Sequence, residues 1–238
     1  MEPQLAPRHL IGRICKHGGV DLTEDQLKSL TRFTDLVLSW NSKINLLSRT
    51  DAGNIWTSHV LHSLSPLFAL EIPKDLTLLD LGSGGGFPGI PLAIARRDLT
   101  ITLLDSIKKK TTALESMIGD LALGNLSVIS GRAEGLKEKS ARFNIVFARA
   151  VSSLTDLIKW SKPLVVGKKE VNHVIRAKEG DRLFSIPCLI AMKGGDLEAE
   201  MRTARIKTGN QRITTLDLRF GETTALENKK LVIVEFET

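Results

Sequence analysis

Residues 76–92 read Leu-Thr-Leu-Leu-Asp-Leu-Gly-Ser-Gly-Gly-Gly-Phe-Pro-Gly-Ile-Pro-Leu, and no other stretch constrains the fold as tightly. The apolar run 76–81 has the length and composition of a buried parallel strand. It breaks into a loop carrying Gly82, Gly84, Gly85, Gly86 and Gly89, and an apolar helical pattern begins near Ile90. Strand, glycine-rich turn and helix is the geometry that lets backbone approach a nucleotide-like ligand, because glycine has no Cβ and tolerates positive φ. Pro88 and Pro91 flank the helix start, where a fixed φ suits the first turn.

Charge narrows the ligand. A pyrophosphate calls for helix N-terminal amides or a P-loop lysine, and the chain has no G-x-x-x-x-G-K-[ST] motif. Asp80 instead stands two positions before Gly82. A carboxylate there suits a cationic ligand such as S-adenosylmethionine, which carries a sulfonium, an amino-acid end and an adenosine. The next strand, 100–104, ends at Asp105, 25 residues after Asp80. An acid at that point can hold ribose hydroxyls. It serves a dinucleotide equally well, as does the Gly82-x-Gly84-x-Gly86 spacing followed by Gly89, so the motif leaves both cofactors open.

From residue 76 onward strand and helix alternate. Strands are predicted at 76–81, 100–104, 126–130 and 144–148, with helices at about 89–97, 107–122, 133–139 and 153–162 between and after them. This order predicts an α/β fold with a parallel sheet covered on both faces and ligand at the carboxyl ends of the strands. Gly82, Asp105, the run Gly131-Arg132-Ala133-Glu134 and Arg149 all fall at those ends. The apolar run 184–192 and the β-rich segments 212–218 and 230–236 predict further strands, the last two as an antiparallel edge hairpin. Residues 165–181 are poorly patterned and read as a basic loop. Residues 1–74 are helical in pattern. Thr23 and Gln26 have capping-box spacing ahead of apolar residues at helical spacing (Leu27, Leu30, Phe33, Leu36, Val37, Trp40), and a second amphipathic stretch covers 52–70. The expected division is an N-terminal helical extension, 1–74, and a sheet domain, 75–238.

With 42% hydrophobic residues in 238 and a mean hydropathy of zero, the composition is that of a soluble globular chain. No apolar run approaches the roughly 20 residues of a membrane span, and the N-terminus has no signal-peptide pattern. Cys15 and Cys188 offer neither a disulfide framework nor a metal-ligand spacing, and the five histidines are scattered, so no metal site and a cytoplasmic setting are expected. Between Lys159 and Arg219 there are 13 Lys/Arg against 7 Asp/Glu, a surplus equal to the whole net charge of +6. With a pI of about 9.4, that is the footprint of a polyanion-binding chain. Nothing demands more than a monomer.

The acceptor chemistry is constrained by what the motifs omit. Methylating cytosine C5 needs a cysteine nucleophile, and neither cysteine sits in a Pro-Cys loop. Exocyclic amine methylation commonly uses a [DN]-P-P-[YFW] loop after the fourth strand. Here that position reads Phe147-Ala148-Arg149-Ala150-Val151, and the chain has no tyrosine. A ring nitrogen such as guanine N7 needs neither device, since its lone pair already points outward and alignment alone can carry the reaction. No covalent or acid/base catalytic residue is therefore assigned. Arg149 reads either as a structural partner of Asp80 or Glu134 or as a donor to a phosphate or to guanine O6. Asn41, His59, Arg132 and Lys193 are the remaining substrate-facing candidates.

The residues resemble the bacterial GidB/RsmG family of 16S ribosomal RNA guanine-N7 methyltransferases. The resemblance rests on Trp40-Asn41-Ser42-Lys43-Ile44-Asn45-Leu46, His59-Val60-Leu61-His62-Ser63-Leu64, the run from Asp80 to Leu92, Leu103-Leu104-Asp105-Ser106, Gly131-Arg132-Ala133-Glu134 and Ala148-Arg149-Ala150. It implies a Rossmann-like S-adenosylmethionine-dependent methyltransferase sheet with an N-terminal helical extension, and 16S RNA or the small-subunit particle as partner. By motif position it implies that Gly82, Phe87, Ala133, Glu134 and Arg149 line the cofactor site, with Asp105 at the ribose; Asp80, Ser83, Gly84 and Gly86 of the strand end and glycine turn complete the expected cofactor-binding set. His62 stands where that family usually has Asp, and 165–185 departs from its pattern. The rival readings are a methyltransferase acting on protein or a small molecule, and a non-catalytic RNA-binding factor.

Overall fold

The computed structural model describes residues 7–136, 143–167, 173–209, 211–218 and 224–237. The predicted helix 133–139 survives as a single 3-10 turn, Ala133–Gly135, and its last residues lie outside the described ones.

The chain opens with α1 (Pro7–His17) and α2 (Glu24–Asn41). Thr23 caps α2 as its spacing predicts. Its hydroxyl accepts from the Gln26 N–H, and the Gln26 carboxamide oxygen accepts from the Thr23 N–H at 2.8 Å. Gln26 then reaches beyond its own helix, its Nε2 donating to the carbonyls of Ile94 (2.9 Å) and Ala95 (3.1 Å). The expected amphipathic stretch 52–70 is broken up. α3 (Arg49–Gly53) leads into a π-helical segment, Ile55–Leu61, followed by α4 (His62–Leu64) and α5 (Pro66–Ala69).

The sheet is built from β2 (Thr77–Leu81), β3 (Thr100–Asp105), β4 (Leu126–Ser130), β5 (Ile145–Arg149), β8 (Cys188–Gly194), β9 (Arg212–Asp217) and β10 (Lys229–Glu235). Among the described residues its order is β4-β3-β2-β5-β8-β10-β9, with the first five strands parallel and β10 antiparallel to both neighbours. The antiparallel finish is the one expected at 212–218 and 230–236. Consecutive strand residues point into different cores. Leu78, Ile145 and Phe147 join one hydrophobic cluster while Leu79, Val146 and Ala148 join the other, which is why the central strands read as unbroken apolar runs. The first cluster packs α6 (Gly89–Ala95), α7 (Lys108–Leu121) and the N-terminal helices against the sheet, and the second packs α8 (Leu154–Ser161) and α9 (Glu198–Thr208). Ile11, Phe33 and Phe68 from the helical region lie in the same cluster as Leu78 and Phe147 of the sheet.

Two expectations are corrected. The basic loop 165–181 contains a strand, β6 (Val174–Ala177), that pairs with β1 (Leu70–Glu71) and β7 (Leu183–Ser185) in a small antiparallel sheet. Its alternation is real, with Val174 and Arg176 exposed and Ile175 and Ala177 buried, but it spans only four residues, and one of its two partners, β1, lies a hundred residues away. The run 184–192 is likewise two strands, β7 and β8, in different sheets, parted at Ile186 and Pro187. Helix α9 had no counterpart in the sequence reading.

Gln26→Ala removes a capping contact and two carbonyl contacts on α6. It is expected to lower unfolding stability by about 1–2 kcal/mol in urea titration, with one shared transition for helices and sheet.

Candidate functional site

The chain leaves β2 at Leu81 and turns at Gly82, where φ is +74° and an added Cβ would meet the Val151 methyls at 2.7 Å. At Gly89, the first residue of α6, a Cβ would collide with Leu103 and sit 2.7 Å from Asp80 Oδ2. The space is closed because Asp80 Oδ2 accepts the Gly89 N–H at 2.9 Å. Asp80 is fully buried, and its other oxygen has no hydrogen-bond partner among the described residues. Burial pushes its carboxyl up to about 7, against the pull of the Gly89 N–H. Asp105, at the end of β3, holds the loop from the other side. Its Oδ2 accepts the Gly84 N–H at 2.9 Å and its Oδ1 the Ile107 N–H at 2.8 Å. A carboxylate has about four acceptor positions, so two remain for a ligand's hydroxyls.

These elements enclose a cavity of about 510 Å³ at the carboxyl ends of β2, β3, β4 and β5, within the range of small-molecule sites. Of the predicted cofactor residues, Gly82, Ser83, Gly84, Phe87, Asp105, Ala133, Glu134 and Arg149 line it. Asp80 and Gly86 do not; they stand behind the loop and shape it, Gly86 packing against Ile90 and Leu114. Sequence reasoning missed Lys110, Val151 and Trp160, which also line it. Their positions follow from how α7, the turn after β5 and α8 fold back over the strand ends, which no local motif encodes.

A second chamber of about 550 Å³ shares His59, Arg149 and Ala150 with the first. Its other walls include Asp51, His62, Lys193 and Lys229. Of the predicted substrate-facing residues, His59 lines both chambers, Lys193 the second and Arg132 the first. Asn41 lines neither. Its Oδ1 accepts the N–H groups of Leu46 and Leu47, both at 2.8 Å, and so bends the chain that brings those leucines to the first chamber. Among the described residues of the basic segment, Lys159, Lys162, Arg202, Arg205 and Lys207 lie away from both chambers, exposed on or beside α8 and α9.

Arg149 forms the partition. Its guanidinium donates to the His59 carbonyl (3.2 Å), the Ser63 hydroxyl (3.4 Å) and His59 Nδ1, and its Cζ lies 5.7 Å from the Phe87 ring centroid. It makes no ion pair with Asp80 or Glu134 among the described contacts, although the field of Asp80 offsets the burial that lowers its pKa to about 10. Because a guanidinium only donates, Nδ1 of His59 accepts and Nε2 carries the proton. That N–H lies 3.8 Å from Asp51 Oδ1 and has no hydrogen-bond partner among the described residues. Burial and the Arg149 charge lower the pKa of His59 to about 4, and burial lowers that of His62 to about 3, so both rings are neutral. Cys15 and Cys188 are buried away from both chambers, with burial pushing the first thiol up to about 12 and the second higher still. Among the described residues no three metal-ligating side chains converge and no helix is long and apolar enough to cross a membrane.

Asp80→Asn tests the buried acid. A carboxyl raised from 3.8 to about 7 destabilises the fold once ionised. Wild-type stability from this group is fully present below pH 4 and is lost as pH rises to about 7. The stability of the Asn variant relative to wild type, from urea titrations, should rise between pH 4 and 7 and stay level above.

Two comparisons of sequence and one of structure bear on this chain. A family model described as rRNA small subunit methyltransferase G (GidB) matches residues 26–182. Proteins named ribosomal RNA small subunit methyltransferase G are 38% identical to this chain in Bacteroides fragilis, over 90% of this chain and 95% of the relative, and in Bacteroides thetaiotaomicron, over 89% and 94%. Among solved structures, an MtNAS variant in complex with S-adenosylmethionine superposes with a TM-score of 0.52 at 11% identity, over 85% of this chain and 72% of that one. The last is a likeness of fold, which makes the sheet Rossmann-like. The glycine loop, its two flanking acids and the extent of the sequence match place this chain in the rRNA small subunit methyltransferase G (GidB) family.

Proposed function

We propose that the chain transfers a methyl group from S-adenosylmethionine to N7 of a guanine in small-subunit (16S) ribosomal RNA, as a monomer in the bacterial cytoplasm, with the N-terminal extension, 1–74, contributing to the acceptor side. One observation carries this reading: two chambers meet at a wall made of Arg149, His59 and Ala150. The glycine-loop chamber suits the donor. It is large enough, its Gly82–Gly84 backbone is open to a ligand, and Asp105 keeps acceptor positions for ribose hydroxyls. Ser83, Phe87, Ala133 and Glu134 complete it, while Asp80 and Gly86 act through the loop. When bound, the donor supplies an electrophilic methyl on a sulfonium.

The second chamber suits the acceptor nucleotide, since Lys193 and Lys229 are cations for a phosphodiester. Arg132, on the rim of the first chamber, is placed for the same strand. His59 presents an N–H rather than a lone pair and stays neutral, so it takes no proton from the base. Guanine N7 needs none removed. The chain's contribution is to hold N7 in line with the methyl group, where positioning lowers the barrier.

Tritiated methyl transfer to small-subunit particles and to naked 16S RNA, followed by digestion to nucleosides, should place label in 7-methylguanosine. Label in another nucleoside overturns the N7 assignment, and no label in either RNA overturns the activity. Arg149→Ala should lower kcat/KM by at least ~100-fold, since it removes several charge-assisted hydrogen bonds at the shared wall.

A further inference from the structure

We propose that Glu200 is a positioning residue for methyl transfer: it fixes the turn after β5 and, through Lys193, aims one ammonium N–H into the acceptor chamber. The proposal rests on the assignment of the two chambers to donor and acceptor.

Glu200 lies in the first turn of α9 and lines neither chamber. Its Oε1 accepts the Leu154 N–H at 2.7 Å and the Lys193 ammonium at 2.8 Å. The ammonium also donates to the Ser152 carbonyl at 2.8 Å. Leu154 opens α8, and the capping side chain of Ser153 serves Asp156 instead, so Glu200 supplies the partner that this orphan helix amide needs. One carboxylate oxygen therefore ties α9, β8 and the start of α8 to the turn between Arg149 and Leu154.

That turn needs to be held. Ala150 sits at φ +54°, a left-handed conformation costly for a residue with a Cβ, and it belongs to the wall between the chambers. The next residue, Val151, occupies the space beside Gly82. Releasing Ser152 and Leu154 frees the turn to leave this conformation, and Val151 then withdraws from the glycine loop.

Lys193 gains direction from the same contacts. Of its three N–H groups, Glu200 and Ser152 take two, and the third remains for the acceptor chamber, which Lys193 lines. A free lysine loses rotamer freedom when it binds a ligand, and holding it in advance removes that cost from binding. The pair is only 17% and 29% exposed, so solvent screens it weakly. The ligand for the third N–H is an acceptor oxygen of the nucleotide, either a phosphate oxygen or a base carbonyl.

The test compares wild type with Glu200→Ala, Glu200→Gln, Lys193→Met and the Glu200→Ala/Lys193→Met double variant. S-adenosylmethionine affinity is read by calorimetry, kcat and KM on small-subunit particles, and Tm separately. Each single loss variant should lower kcat/KM by about tenfold or more. The double variant should be no worse than the poorer single one, because both remove one device. Glu200→Gln, whose carboxamide oxygen can still accept from both donors, should recover most of the activity. A shallower salt dependence of RNA binding in Lys193→Met identifies a phosphate oxygen as the ligand, and an unchanged slope a base carbonyl. Multiplying single effects, wild-type kinetics in Lys193→Met, or a fall in Tm alone for Glu200→Ala would each overturn the proposal. If wild type binds S-adenosylmethionine but methylates no RNA, the acceptor assignment fails instead. Glu200→Ala should even then weaken S-adenosylmethionine binding several-fold, by loosening Val151 over Gly82.

Discussion

The hydrogen bonds of Arg149 to His59 and Ser63 are the contacts on which the rest of the site depends. A guanidinium on the end of a central strand is costly to bury, and it is kept there by a backbone carbonyl, a hydroxyl, an imidazole nitrogen and the fields of Asp80 and Asp51. Because those partners come from the π-helical segment Ile55–Leu61 and from α4, the bonds tie the helical region to the carboxyl end of β5, beside both chambers. They also set the tautomer of His59 and raise the wall that parts one cleft into two chambers. Phe87 reinforces the joint, with Phe33 of α2 and His59 both about 5 Å from its ring centre.

The acids around the glycine loop show how one residue type takes different tasks by depth. Asp80 and Asp105 both accept backbone N–H groups of the loop or the helix that follows it. Asp80 sits behind the loop with one orphan oxygen and a carboxyl pushed toward neutrality. Asp105 reaches the cavity with acceptor positions to spare. The glycines divide in the same way: Gly82 and Gly84 face the cavity, whereas Gly86 and Gly89 let side chains and helix pack behind it.

Much of this was legible in the residues. The central strands are buried on both faces, so their apolar runs announce them, and the capping box of α2 stands where its spacing says. The first chamber was legible because its walls come from strand ends, each marked by a glycine or a polar residue after an apolar run. What escaped were features whose cause is distant. β6 is four residues long and sits between the three-residue β7 and the distant Leu70 and Glu71, and α9 carries only one fully buried residue, Ala204, so both patterns are faint. Asn41 drew notice as a polar residue in a distinctive motif, yet its oxygen is spent on two backbone amides five and six residues on. Lys193 is a substrate-facing candidate in the sequence, which gives no sign that a carboxylate and a carbonyl hold its ammonium.

The parallel α/β sheet, the glycine loop beside the first chamber and the family are readable from the residues alone, because each is encoded over a few positions: periodicity within a strand, missing Cβ atoms within a turn, an acid at a strand end. The second chamber and the wall between the two arise only when the chain is folded. His59, Arg149, Lys193 and Glu200 are brought together from four elements up to 141 residues apart. Which side chains face one another across that distance depends on how helices dock on a sheet, and no local pattern carries that information.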